Sequence, residues 1–227
     1  MNAKFSLTPR LALCARLAAG ADTLCDVGTD HGYLPISLVA RGAISRAVAA
    51  DIRPGPLASA RRHAAEAGLE GRIRFELADG LGFPGAEDCG TVVCAGMGGE
   101  TIAGILERAP WTRAGTRLIL QPQSKLDELC EWLRENGYAL VTAALAAEGE
   151  RLYIAMLVHG GSEGPLWAEN ALAASGDPLL GEWLEWRTRR LERALAGMER
   201  AKDAMEEYAR ARRTLERLRA YREGGTI

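Results

Sequence analysis

Five short runs rich in β-branched and apolar residues recur between residues 23 and 122, with helical patterns set among them. The runs are TLCDVG (23–28), RAVAADI (46–52), RIRFELAD (72–79), TVVCAG (91–96) and TRLILQP (116–122). The segments PISLVARG, PLASARRHAAEAG, GETIAGILERA and SKLDELCEWLRENG place apolar residues three and four apart, and several close with glycine, as a helix end prefers. A chain that alternates strand with helix buries its apolar faces best as a parallel sheet covered by helices on both sides. The strands are apolar almost throughout rather than alternating, which agrees with burial on both faces.

After Gly137 the rhythm changes. YALVTAALAAE and RLYIAMLVHG are separated only by Gly-Glu, so they read as an antiparallel hairpin added to the end of the sheet. Five parallel strands and a terminal hairpin give a seven-stranded, mostly parallel sheet, the outline of the Rossmann-like class I methyltransferase fold. A nicotinamide-binding domain would add its sixth strand in parallel. GGSEGPLWAENALAASGDP reads as a linker with some helix, and beyond Pro178 the pattern is helical. There Leu184, Leu191, Met198 and Met205 lie seven apart, with Tyr208 and Leu215 in a second row. The register fails at Arg212, and Gly197 with Asp203 offers a break, so the tail is expected to fold into an antiparallel coiled-coil hairpin. The expected domains are 1–160, an α/β unit, and 161–227, a helical one.

Composition narrows the setting. Of 227 residues, 48% are hydrophobic and 26% charged, as in ordinary globular chains. No apolar run approaches the roughly 20 residues of a spanning helix, and arginines interrupt the apolar N-terminal segment, so a cytoplasmic protein is expected. Cys14, Cys25, Cys89, Cys94 and Cys130 form no C-x-x-C pair and lie at no metal-ligand spacing from histidine, which suits buried core thiols and no metal site. His63 and His159 read as solvated or structural. The net charge is −2, yet residues 187–222 carry +6, leaving −8 for the remainder. That asymmetry bears on partners.

The end of the first strand, Asp26-Val27-Gly28-Thr29-Asp30-His31-Gly32, bends between strand and helix. Gly28 permits a tight turn, Gly32 lets backbone approach a ligand, and Pro35 suits a first helical turn. A pyrophosphate resting on the bare amides of such a bend would meet the Asp30 carboxylate, so a phosphorylated coenzyme is disfavoured. S-adenosylmethionine has the opposite need, because it presents an ammonium and a sulfonium. Asp26 can then hold its amino-acid moiety, Asp51 its ribose, and Asp79 the adenine amino group, with Gly80 and Leu81 bordering the ring. The set assigned to this cofactor is Asp26, Gly28, Thr29, Gly32, Asp51, Asp79, Gly80, Leu81 and Gly96. Taken singly, Asp26, Asp30 or Asp51 could cap a following helix and Asp79 could serve a turn.

Several motifs carry a closer likeness. DVGTDHGYLP, ADGL, AGMGGETI, and LILQP followed by LCEWLRENGY resemble, in order and spacing, the bacterial tRNA adenine-22 N1-methyltransferase family, from about Leu7 to Gly160. The resemblance implies a class I fold, S-adenosyl-L-methionine as donor, and N1 of an adenine in the D-arm region of tRNA as acceptor. Two departures from the general methyltransferase pattern are informative. Asp30 replaces the middle glycine of the first motif. Ala95-Gly96-Met97-Gly98-Gly99 stands where enzymes acting on exocyclic amines carry an Asn or Asp, two prolines and an aromatic.

Methylation at N1 needs no prior proton removal, because the lone pair lies in the ring plane, and positioning alone can supply roughly 7 to 11 kcal/mol. Asp30, accepting from the adenine amino group, and His31, bonding or stacking to the base, are the expected acceptor contacts. Met97 would be an apolar wall beside Gly96, Gly98 and Gly99, and Gln121 a further candidate in the same pocket. The alternative is that Asp30 and His31 only shape the cofactor loop. The arginines between Arg187 and Arg219 could grip tRNA phosphates. The interspersed glutamates leave open packing or dimerisation through the C-terminal helices. Two other functions compete: methylation of another RNA, a protein or a small molecule, and a non-catalytic nucleic-acid-binding sensor of S-adenosylmethionine.

Overall fold

The computed structural model describes residues 6–161, 163–198 and 205–223. The chain divides into two compact units, Met1–Ser175 and Gly176–Ile227. The first is built on strands β1 (Thr23–Val27), β2 (Arg46–Asp51), β3 (Ile73–Leu77), β4 (Thr91–Gly98), β5 (Arg117–Ser124), β6 (Tyr138–Glu148) and β7 (Arg151–Gly160). They form one sheet in the order β3-β2-β1-β4-β5-β7-β6. The first five are parallel. β7 runs antiparallel to both β5 and β6, so the hairpin's second strand slots inside its first. The expected seven-stranded, mostly parallel sheet is present, and the order changes between β1 and β4, where ligands bind in open sheets.

The helices are α1 (Pro9–Leu17), α2 (Tyr33–Ala40), α3 (Pro54–Glu66), α4 (Gly99–Glu107), α5 (Leu126–Glu135) and α6 (Ala168–Ala174). In α2 every residue from Leu34 to Val39 is buried, because it packs on β1 and β2 between α1 and α3. It is apolar on all sides for that reason. Helix α1 begins at a Thr8 cap whose hydroxyl accepts from Leu11 N, followed by Pro9 in the first turn. The core joins Leu13, Cys14, Leu24, Ile36, Val39, Ala49, Val93 and Ile119, from α1, α2 and the central strands.

The expected domain boundary at residue 160 falls too early. Helix α6 packs on β6, buries Ala168, Ala171 and Leu172, and is followed by Ser175, whose hydroxyl donates to Ala143 O at 3.0 Å. It belongs to the α/β unit.

The second unit holds α7 (Leu180–Met198) and α8 (Met205–Arg222), which pack against each other and are tied by Arg219 Nη2 to Glu192 Oε1 at 2.7 Å. Their buried positions include Leu184, Thr188 and Leu195, then Thr214, Leu215 and Leu218. Of the expected rows, Leu184 and Leu215 are buried and Leu191, Met198 and Tyr208 half-buried, whereas Met205 is 82% exposed. Gly197 sits within α7, and Asp203 lies outside the described residues.

All five cysteines are free and buried, as expected, and burial pushes the Cys14 and Cys94 thiols up to about 12. Among the described residues no helix is long and apolar enough to cross a membrane, and no cluster of His, Cys, Asp or Glu could hold a metal ion.

Candidate active site

A cleft of about 460 Å³ opens where β1, β2 and β4 end, with the start of α1 forming part of its wall. Its size is that of a small-molecule site, roughly 300 to 1,000 Å³. The bend after β1 forms its floor. Gly28 N and Thr29 N both donate to Ala50 O, at 2.8 and 3.0 Å, which pins the bend to β2. Gly28 has φ 68°, and a Cβ there would overlap the Met97 methyl.

Asp30 also adopts a left-handed conformation, with φ 55°. For a residue with a side chain this costs about 1–2 kcal/mol, although aspartate tolerates it better than most. Asp51 holds the strained residue: its Oδ2 accepts from Asp30 N at 3.1 Å and its Oδ1 from Arg53 N at 2.9 Å. Asp51 is 4% exposed. Neither α2 nor α3 has a side-chain cap, so the helix-capping alternative for these aspartates is not what the structure shows.

Gly32 corrects an expectation. Its φ is 74°, and a Cβ would lie 2.9 Å from Ala60 Cβ. The absent side chain lets α3 pack against the bend; the close neighbour is a helix, not a ligand.

Asp26 sits at the bottom of the cleft, 4% exposed, and its Oδ2 accepts the Thr29 hydroxyl at 2.6 Å. Burial pushes its carboxyl up to about 7; the Thr29 bond and the Arg10 guanidinium pull the other way, and Asp51 adds to the rise. A buried carboxylate with no cation in contact is stabilised by a positive ligand and repels a phosphorylated one. This donor set therefore suits an ammonium-bearing molecule.

Arg10 was not foreseen. It lines the cleft from the first turn of α1, and its Nη1 donates to Gln121 Oε1 at 3.0 Å. The same oxygen accepts Gly96 N at 3.0 Å. Gln121 is wholly buried, so it braces Gly96 and Arg10 from behind the wall and does not face the cleft, where Gln123 lies instead. The Thr-Pro start of a short amphipathic segment was the available signal for α1 and hence for Arg10.

At the far end, Asp79 and Gly80 line the cleft. Asp79 is 65% exposed and pairs with Arg108 Nη2 at 3.1 Å. Leu81 turns into the core at 7% exposure and is not a wall residue. Ile52 and Ile105 supply the apolar surface there, and Ile52 is 64% exposed.

The rim carries Asp30, 61% exposed, with His31 Nε2 at 3.7 Å from its Oδ1. Tyr33 lines the cleft and stacks on His63 of α3, ring centroids 5.4 Å apart, while His31 tilts against Tyr33 at 5.8 Å. His63 Nδ1 lies 2.9 Å from His31 O, and because a carbonyl only accepts, that nitrogen carries the hydrogen. His63 is thus part of the rim's support. Across the cleft, Gly96 with φ 80° and Met97 line the opposite wall, where β4 slips register against β5. The other glycines of this run serve packing: Gly99 has the Lys125 carbonyl where a Cβ would go, and Gly98 faces Ser124 Oγ at 3.2 Å.

Residues 7–156 match the model of a family described as a methyltransferase domain. The tRNA (adenine(22)-N(1))-methyltransferase of Bacillus subtilis (strain 168) is 32% identical over 182 residues, covering 80% of this chain and 76% of that protein. The crystal structure of the B. subtilis M1A22 tRNA methyltransferase TrmK matches with a TM-score of 0.80 at 26% identity, over 95% of this chain and 98% of that one. Streptococcus pneumoniae Sp1610 in complex with S-adenosyl-L-methionine matches with a TM-score of 0.78 at 32% identity, over 94% and 98%.

Proposed function

The chain belongs to the tRNA (adenine-22) N1-methyltransferase family, and from that membership we propose how its cleft divides the work. It transfers a methyl group from S-adenosyl-L-methionine to N1 of adenine 22 in tRNA. S-adenosyl-L-methionine supplies an electrophilic methyl on a sulfonium. Everything else falls to the protein's own groups.

One observation carries the reading: a carboxylate that burial has pushed up to about 7, Asp26, lies at the floor of a cleft whose walls also hold Asp51 and Asp79. Asp26 takes the ammonium of the donor. Arg10, next to Gly96 across the floor, takes the donor's carboxylate as a charge-assisted partner. Asp51 has both oxygens in use by backbone N–H groups, and each retains a lone pair for a ribose hydroxyl. Ile52 and Ile105 sandwich the adenine ring, with Asp79 accepting from its amino group. Gly28, Thr29 and Gly80 give the backbone its course around the ligand, while Gly32, Leu81 and Gln121 hold that course from behind.

The acceptor adenine enters over the rim. A base stacked inside tRNA must first swing out, at a cost of about a few kcal/mol. Tyr33 and His31 offer it aromatic faces, and Asp30 accepts from its amino group, which aligns N1 and offsets the positive charge that grows on the ring. Met97 closes the opposite side. No general base is required, so rate enhancement rests on orientation and on this carboxylate.

We assign the exposed arginine face of the C-terminal helices to RNA phosphates rather than to a second copy of the chain. Arg189, Arg210, Arg212 and Arg219 are engaged by glutamates of their own unit. Arg193 and Arg213 are exposed and have no side-chain partner among the described residues, which leaves their charge for phosphate. A cytoplasmic location, where tRNA is modified, completes the proposal. The test is binding: calorimetry should give one S-adenosyl-L-methionine site per chain, lost in Asp26→Ala, and no heat from NAD. Uptake of NAD at this cleft with none of the sulfonium compound would refute the assignment.

A further inference from the structure

A second, larger cleft of about 910 Å³ lies away from the catalytic one, along the outer strand β3 and the beginnings of β1 and β2. Five arginines line it: Arg46, Arg61, Arg62, Arg72 and Arg74, against two carboxylates, Glu70 and Asp88. We infer that this cleft grips the phosphodiester backbone of the tRNA substrate away from the methylated adenine; the inference rests on tRNA being the substrate.

The arrangement is costly unless an anion compensates it. Ala47 pairs with Ile73, and Ala47 N donates to Arg72 O, so Arg46 and Arg72 stand side by side at the entrance to two adjacent strands, about 5 Å apart. Like charges placed opposite each other across a strand pair destabilise a sheet. The period of two puts Arg74 on the same side as Arg72. Three of the five guanidiniums are fixed by carbonyl oxygens, which for Arg61 and Arg72 orient the charge without neutralising it. Arg72 donates to Ser45 O and Ile44 O, Arg61 to Phe75 O, and Arg74 to Pro84 O. Arg74 also pairs with Glu76 at 3.0 Å. Arg46 and Arg62 are exposed, and among the described residues their guanidiniums make no hydrogen bond or ion pair. Fixed guanidiniums beside two free ones, in a chain of net charge −2, form a local cationic trough of the kind that polyanions occupy.

Helix α3 connects this trough to the chemistry. Arg53 at its start lines the catalytic cleft and is 68% exposed, while Arg62 lines the trough. The two lie about 14 Å apart along the helix axis. One tRNA arm can therefore contact both.

The experiment uses the full-length enzyme with Arg46→Glu and Arg62→Glu combined. Both side chains are exposed and hold no hydrogen bond or ion pair among the described residues, so melting temperature and S-adenosyl-L-methionine affinity should match the wild type. The dissociation constant for unmodified tRNA should rise about tenfold or more, and log Kd against log salt should flatten by about two. KM for tRNA should rise with it while kcat at saturating tRNA holds. Arg46→Gln with Arg62→Gln should give a smaller loss, and it replaces the Glu pair if that protein fails to bind the methyl donor. Unchanged tRNA affinity and salt slope in an enzyme that methylates tRNA would overturn the trough alone. Failure of the wild type to methylate any tRNA would instead overturn the substrate on which it rests.

Discussion

The Thr29 hydroxyl donates to Asp26 Oδ2 at 2.6 Å, and the pair is buried at the floor of the cleft, at 7% and 4% exposure. One hydrogen bond does not offset the burial, and the Asp26 carboxyl is left up at about 7.

That value sets a pH dependence. An unfolded aspartate titrates at about 3.9, so between about 4 and 7 the native state holds a proton that the unfolded state has released. The protein without ligand therefore loses stability as pH rises through that window, by a few kcal/mol in total. Asp26→Asn should melt higher than the wild type at pH 8, with the gap narrowing towards pH 5. Thermal denaturation across that range measures it.

Cofactor binding should run the other way. A bound ammonium favours the charged carboxylate, so below about pH 7 uptake of S-adenosyl-L-methionine should release a proton and weaken as the pH falls. Calorimetry in two buffers of different ionisation enthalpy reads the proton directly. Asp26→Asn should abolish the release.

Asp30 gives a strain test. Asp30→Gly frees the left-handed residue, and the steric relief of about 1–2 kcal/mol is partly cancelled by glycine's entropic cost of about 0.5–1 kcal/mol. Stability should stay level or rise slightly. Turnover should fall at least about tenfold with little change in donor affinity, as expected for a group that meets the acceptor base. Equal turnover in Asp30→Gly would reduce the residue to a loop former.

The braces behind the wall should show as stability. Gln121→Leu leaves Gly96 N–H and the Arg10 guanidinium without their acceptor, at a cost of about 1–3 kcal/mol. Gly32→Ala should cost about 2–4 kcal/mol, from its φ and from the contact with Ala60. Adding Ala60→Gly should recover the contact component and leave the backbone component. Denaturant unfolding of the three proteins separates the two.

Much of this was legible before the structure because strand ends place their own residues. Runs of apolar residues fix where β1, β2 and β4 stop, and in a parallel sheet those ends share one edge. Asp26, Asp51 and Gly96 therefore converge on one cleft, as expected. Contacts between elements were not legible. Gly32 and Gly80 both read as ligand-facing glycines, yet only Gly80 lines the cleft; the neighbour that demands Gly32 is Ala60, nearly thirty residues away. Leu81 follows the end of β3 and Gln121 lies within β5, and both turn inward. The Gly-Glu turn between β6 and β7 announced a hairpin without saying which strand would meet β5. Arg10 was hidden because its helix precedes the strand-and-helix rhythm. In the tail, the seven-residue spacing found Leu184 but also named Met205, which is exposed, and it missed Thr188 and Leu195, which are buried.

The decisive measurement is to incubate the enzyme with S-adenosyl-L-methionine and an unmodified tRNA carrying adenine at position 22, then map and identify the product nucleoside. Reverse transcription should arrest opposite nucleotide 22, nucleoside mass spectrometry should identify 1-methyladenosine, and both signals should vanish when adenine 22 is replaced by guanine or when Asp26 is replaced by alanine. A methyl group on the exocyclic amine, or at another nucleotide, or transfer that survives Asp26→Ala, would contradict the assignment of this cleft.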